Sequence, residues 1–133
     1  MGMEWDLLTK LKADSTLDTL LGVSGDDSKI YPIVAPQGAA TPYILYKIAG
    51  TGSPDEILDD TRIELRAISE SFKTAGDIKD RLIALLDKED AVDVSSDNYY
   101  IYAGKLTGES DLFESTTKRY ERLAFFNFKY LKK

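Results

Sequence analysis

The sequence predicts an α+β domain: a single mixed, mainly antiparallel β-sheet of about four to five strands, with N-terminal helices and one long helix packed against it. Three observations carry that prediction. Residues 61–69 alternate apolar and polar side chains with the period of a half-buried strand. Residues 72–88 repeat their apolar side chains at the spacing of one helix face. Strand-like runs adjoin one another on either side of that helix, so the order is helix, helix, three strands, helix, two strands, not alternating βαβ units. With 133 residues the chain forms one domain with a core of its own.

From Met3 to Ala13, Trp5, Leu8 and Leu11 recur every third position and Leu7 widens the stripe, which predicts a short amphipathic helix. Asp14 or Ser15 can cap a second helix, whose stripe is Leu17, Leu20 and Leu21 and which Gly22 closes. Gly25 to Ser28 is turn chemistry. Ile30 to Val34 is β-branched and apolar, but Pro32 lacks a backbone donor, which predicts an edge strand or a kinked one. Pro36 and Pro42 bracket Gln37-Gly38-Ala39-Ala40 and stiffen a corner. The next strand, Tyr43 to Ile48, carries only one charge, Lys47, and is expected to be covered on both faces for much of its length.

Gly50 to Asp60 reads as a polar excursion between strands. In Thr61 to Ser69, Ile63, Leu65 and Ala67 face one way and Arg62, Glu64 and Arg66 the other, which predicts a buried face and a solvated one. Ser71 caps the long helix, with Phe72, Ala75, Ile78, Leu82, Leu85 and Leu86 on its buried stripe. An acidic linker, Asp87 to Asp97, holds Val92 and Val94. A fourth strand spans Tyr99 to Leu106, a polar connection Thr107 to Thr117, and a last strand Lys118 to Leu131. Its run Leu123-Ala124-Phe125-Phe126 is apolar on both faces, so this strand is expected at the centre of the sheet.

The composition excludes much chemistry. There is no cysteine and no histidine, which removes disulfides, thiolate catalysis, His-dependent triads and Cys- or His-ligated zinc. With 17 basic and 23 acidic residues the net charge is -6, which opposes a duplex-gripping surface. No segment approaches the roughly 18 apolar residues of a membrane span, and no basic-then-apolar signal opens the chain. Gly50-Thr51-Gly52-Ser53 lacks the lysine and third glycine of phosphate-cradling loops. Asp55, Glu56, Asp59 and Asp60 are carboxylates of the kind that suit magnesium or calcium, but in no EF-hand spacing; a solvated loop is the simpler reading. Neither a catalytic residue nor a cofactor or metal site emerges, and the chain reads as a non-enzyme.

One resemblance adds to this. Tyr31-Pro32, Ala35-Pro36-Gln37-Gly38 and Pro42-Tyr43 leading into a strand ending in Tyr46 resemble the signature of the tail completion, or tail terminator, proteins of tailed bacteriophages. The helices ending in Leu20-Leu21-Gly22, the alternating strand before Ser71-Phe72, and a final strand entered through Arg122 are similar to the rest of that family's pattern. The resemblance implies a ring, typically hexameric, on the head-proximal end of the tail tube. Such a ring ends tube polymerisation and offers the surface that joins the head. Its partners would be further copies of itself, the major tail tube protein and head-tail connector proteins, with DNA passing through unbound and no membrane involved. It would assemble in the host bacterial cytoplasm and reside in the virion tail. Expected contact residues are Pro32 on the edge strand, Gly50, Gly52, Pro54, Asp55, Glu56, Asp59 and Asp60 of the excursion, and the outward Arg62 and Arg66. The alternatives are a head-tail connector and, from another class, a small cation-binding or protein-binding intracellular domain.

Overall fold

The computed structural model describes residues 3–23, 28–52, 59–87 and 99–132. Helices α1 (Met3–Lys12) and α2 (Ser15–Leu21) precede strands β1 (Ile30–Pro32), β2 (Tyr43–Gly52) and β3 (Asp59–Ser69). Helix α3 (Phe72–Leu86) then leads to β4 (Tyr99–Glu114) and β5 (Arg119–Lys132). The five strands form one sheet in the order β1-β2-β3-β5-β4, with β1 parallel to β2 and every other pair antiparallel. This is the mixed α+β sheet that the periodicities predict.

The helices cover one face. Ile44 of β2, Ile63, Leu65 and Ala67 of β3, and Ala124, Phe126 and Phe128 of β5 are buried there, against Leu7, Leu8 and Leu11 of α1 and the α3 stripe Ala75, Ile78, Leu82 and Leu86. The α2 ends match their sequence signals. Asp14 is the N-cap and accepts from the Leu17 amide at 2.9 Å, while Gly22 stands at φ 67 in the left-handed region that ends helices. Asp14 also ties α2 to α3. The Arg81 guanidinium donates to both of its carboxylate oxygens, at 3.0 and 2.7 Å. Those hydrogen bonds hold the Asp14 carboxyl below the ordinary carboxylate range against the opposing effect of burial. Ser71 caps α3 through the Thr74 amide at 3.3 Å.

Several expectations need correction. Residues 107–114 are strand, not connection: β4 runs on to Glu114 and pairs with β5 as far as Arg119, leaving only 115–118 as the turn. Polar side chains persist there because β4 is an edge strand, and three of them bond back into the domain, Thr107 by donating its hydroxyl to the Phe125 carbonyl at 3.2 Å. Glu109 pairs with Lys79 of α3 at 2.8 Å and Asp111 with Arg122 of β5 at 2.8 Å. Much of the excursion is strand as well: β2 reaches Gly52 and β3 begins at Asp59, with a register slip between Ile48 and Gly50. Strand β5 is interior, paired on both sides, but β3 holds the middle place. Coverage of β2 fades along its length: Tyr43 and Ile44 are buried while Lys47 and Ile48 are exposed. Phe72, expected in the core, is largely exposed because it opens α3 at the rim, beneath the Arg122 guanidinium at 4.4 Å and beside the Tyr120 ring at 5.4 Å. The possible strand at Val92 and Val94 lies outside the described residues.

Candidate interaction surfaces

The second sheet face carries no helix, yet its own side chains cover it. Ile68 and Leu123 point to that face and are buried. Above them Arg66 bridges Glu64 of its own strand and Glu121 of β5, each at 3.2 Å. Burial alone would lower the Arg66 pKa; the hydrogen bonds to Glu64 and Glu121 outweigh it and raise the pKa above the usual arginine value. Arg62 lies over the Phe125 ring at 5.6 Å, and Arg119 over the Tyr43 ring at 5.9 Å while donating to its hydroxyl at 3.2 Å. The outward charges therefore form an ionic and cationic layer over apolar residues. Of the two arginines expected to make outward contacts, Arg62 is exposed, whereas Arg66 is engaged within the subunit.

The family-like motif shapes the β1 edge. Pro36 to Ala39 is a turn closed by the Ala39 amide on the Pro36 carbonyl at 3.0 Å, and Gly38 at φ 82 takes the third position, where a positive φ is needed. Pro36, Gln37 and Gly38 are exposed, and Thr41-Pro42 is a cis peptide. Tyr31 packs its ring on Tyr43 at 5.9 Å, binding the edge strand to β2. Pro32 ends β1 in an exposed position. Gly50 pairs with Arg62 and Gly52 with Asp60 in the β2–β3 ladder, and Asp59 pairs with Tyr130 across to β5, so these four hold ladder positions and not loop ones. Pro54, Asp55 and Glu56 lie outside the described residues. Among the described residues no group of three or more acidic side chains is placed to hold a metal ion, and no helix is long and apolar enough to cross a membrane.

Four residues at the rims escaped the sequence reading. Ile33 and Val34, just past β1, are 70% and 72% exposed, and Leu112 and Phe113, near the tip of β4, are 47% and 53% exposed. Ile33 is the centre of a γ-turn in which the Val34 amide bonds the Pro32 carbonyl, with φ 60 at Ile33 itself. Beside it a cleft of about 220 Å³ opens on the uncovered face, lined by Ile33, Leu45, Tyr46, Lys47, Glu64 and Arg66. Phe113 packs against the Tyr120 ring, tilted, at 4.8 Å on the helix side of the hairpin, while Leu112 points to the open side. The sequence carries little signal there, since Gly108, Ser110 and Leu112 alternate with Thr107, Glu109 and Asp111 without the apolar–polar contrast that marks a strand.

Fold and surfaces together define an α+β domain whose distinctive groups lie on one open sheet face and at the two free edges. No protein-family profile matches the sequence, and a search of curated proteins finds no match. Among solved structures, a chain in the virion of a native gene transfer agent particle is similar to this one with a TM-score of 0.69. The match covers 99% of this chain and 96% of that chain at 15% sequence identity. The two share a fold from end to end.

Proposed function

We propose that this chain is a structural protein of a phage or phage-derived particle that caps the head-proximal end of the tail tube as a ring. It stops tube polymerisation there and presents the surface to which the filled head joins. The observation that carries the reading is the end-to-end likeness to a gene transfer agent virion chain. The Tyr31-Pro32 and Ala35-Pro36-Gln37-Gly38 resemblance supports the particular place in the tail, and the absence of histidine and cysteine fits a role that breaks no bonds. A net charge of -6 also suits a channel through which DNA slides without adhering.

The test is deletion of the gene in a producing strain, with micrographs of the lysate. Tail tubes of uncontrolled length, detached from filled heads and restored by supplying the chain in trans, are the expected outcome. Tails of normal length lying apart from filled heads would move the assignment to a head-tail connector. Intact, infectious or transducing particles would overturn both.

A further inference from the structure

We infer that copies of this chain join head to tail through opposite edges of the sheet: the β4 tip of one copy, with Leu112 and Glu114, seats on the Ile33–Val34 edge of the next. Four of the most exposed large apolar side chains among the described residues fall at those two edges, just past β1 and on β4, the outermost strands of the same sheet. Two different patches at opposite ends of one subunit suit a heterologous contact, which repeats by rotation and gives a ring where that rotation closes; a two-fold dimer would instead need one patch that complements itself. The proposal takes from the preceding reading only the place where the ring forms.

Charge and backbone geometry support the same pairing. Glu114 lies two residues beyond Leu112, shares its open side and is exposed at the tip; Lys47 is exposed beside Ile33. An acidic projection and a basic margin around an apolar contact give the register and steering that paired patches need. At Ile33 a β-branched residue occupies the left-handed region, an outlier for its type, with its amide fixed to the Tyr46 carbonyl at 2.9 Å. The turn directs the side chain outward, where it buries little within its own subunit. A large apolar side chain held outward by a backbone fixed to β2 accords with a contact outside the subunit.

The chain has no cysteine of its own, so engineered pairs report without background. Ile33→Cys with Leu112→Cys in the full chain, oxidised both in purified concentrated protein and in particles that contain it, should give a ladder of cross-linked dimers, trimers and larger species. Either single variant should give no ladder. Because a cysteine pair reports only proximity, Lys47→Glu and Glu114→Lys provide the second arm: each alone should lose assembly, and the two together should restore it. All four side chains are exposed, and an unchanged circular dichroism spectrum and thermal midpoint verify folding. Strong dimers from Ile33→Cys alone would replace the proposal with a two-fold contact. Particles that contain the double-cysteine variant without a ladder would overturn the interface and leave the capping role standing. A ladder in the purified chain, with particles unaffected by gene deletion, would keep the interface and overturn the capping role. Absence of the ladder in both preparations overturns the interface outright.

Discussion

Phe125 and Phe126 adjoin in a run that is apolar on both faces, and the sequence alone assigns them similar weight; the structure separates them. Phe126 is fully buried on the helix side, with its ring stacked on Phe128 at a centroid distance of 6.1 Å. Truncation to alanine leaves a cavity between β5 and the helices, at about 3–5 kcal/mol for a buried Phe→Ala change. A domain of this size shifts its midpoint by about 4 °C per kcal/mol, so Phe126→Ala should melt roughly 12–20 °C lower. Phe125 is half-buried on the other face under Arg62. Losing about half of a phenylalanine's burial gives about 1–1.5 kcal/mol, and the lost cation–π contact adds about 0.5 kcal/mol or more. Calorimetric melts of the two variants at matched concentration would read the difference directly. Equal shifts, or a shift below about 5 °C for Phe126→Ala, would refute the assignment of faces to β5.

Further outcomes follow from particular contacts. A Cβ at Gly104 would collide with the Leu86 carbonyl oxygen and the Phe128 ring, so Gly104→Ala should destabilise by about 1–3 kcal/mol in denaturant titration, as overpacking does. Asp14→Ala removes the α2 cap, about 1 kcal/mol, together with the Arg81 pair, whereas Asp14→Asn keeps capping ability and loses the charge. Because the folded Asp14 pKa lies below its unfolded value, its contribution is complete above that unfolded value, about 3.9, and is lost as pH falls through the folded pKa. Melts of wild type and Asp14→Asn should therefore converge on acidification below about pH 4 and stay apart near neutrality. Ile33→Gly relieves about 1–2 kcal/mol of left-handed strain, offset by roughly 0.5–1 kcal/mol of glycine entropy and a small loss of burial. Its stability in a denaturant titration should fall within about 1 kcal/mol of wild type while assembly is lost.

The elements that were legible in the sequence are those whose side chains divide between core and water. The α3 stripe from Ala75 onward, the alternation of β3 and the caps at Asp14, Gly22 and Ser71 all express burial or a local hydrogen bond, and appear where their patterns place them. Pro32 assigned β1 to an edge, because a missing amide is felt wherever a ladder would use it. The second half of β4 was not legible. Its polar residues resemble a loop until β5 lies beside them, and strand identity there comes from a partner distant in sequence. The ends of β2 and β3 were hidden for the same reason, since Gly50, Gly52, Asp59 and Asp60 have low strand preference and are held by cross-strand pairing. Ile33 and Val34 were missed because apolar residues in short runs signal burial on average, and Leu112 and Phe113 because the stretch that holds them read as a polar connection.

The open face explains why contacts between copies belong at the edges. A bare sheet face would be the obvious docking surface, but here Arg66, Glu64 and Glu121 already roof Leu123 and Ile68, and Arg62 lies over Phe125. A partner seated on that roof would have to desolvate a half-buried ionic cluster whose attractions are already satisfied within the subunit, and gains little in return. At the rims the balance is reversed. Ile33, Val34, Leu112 and Phe113 keep apolar surface in water, and the charged side chains near them, Lys47 and Glu114, are exposed and adjust at small expense. Breaking the roof by Arg66→Met should therefore lower stability with little effect on self-association, while Val34→Ser, at an exposed rim position, should do the opposite. Association and melting measured together on these two variants separate the face from the edge, and a loss of self-association confined to Arg66→Met would return the contact to the open face.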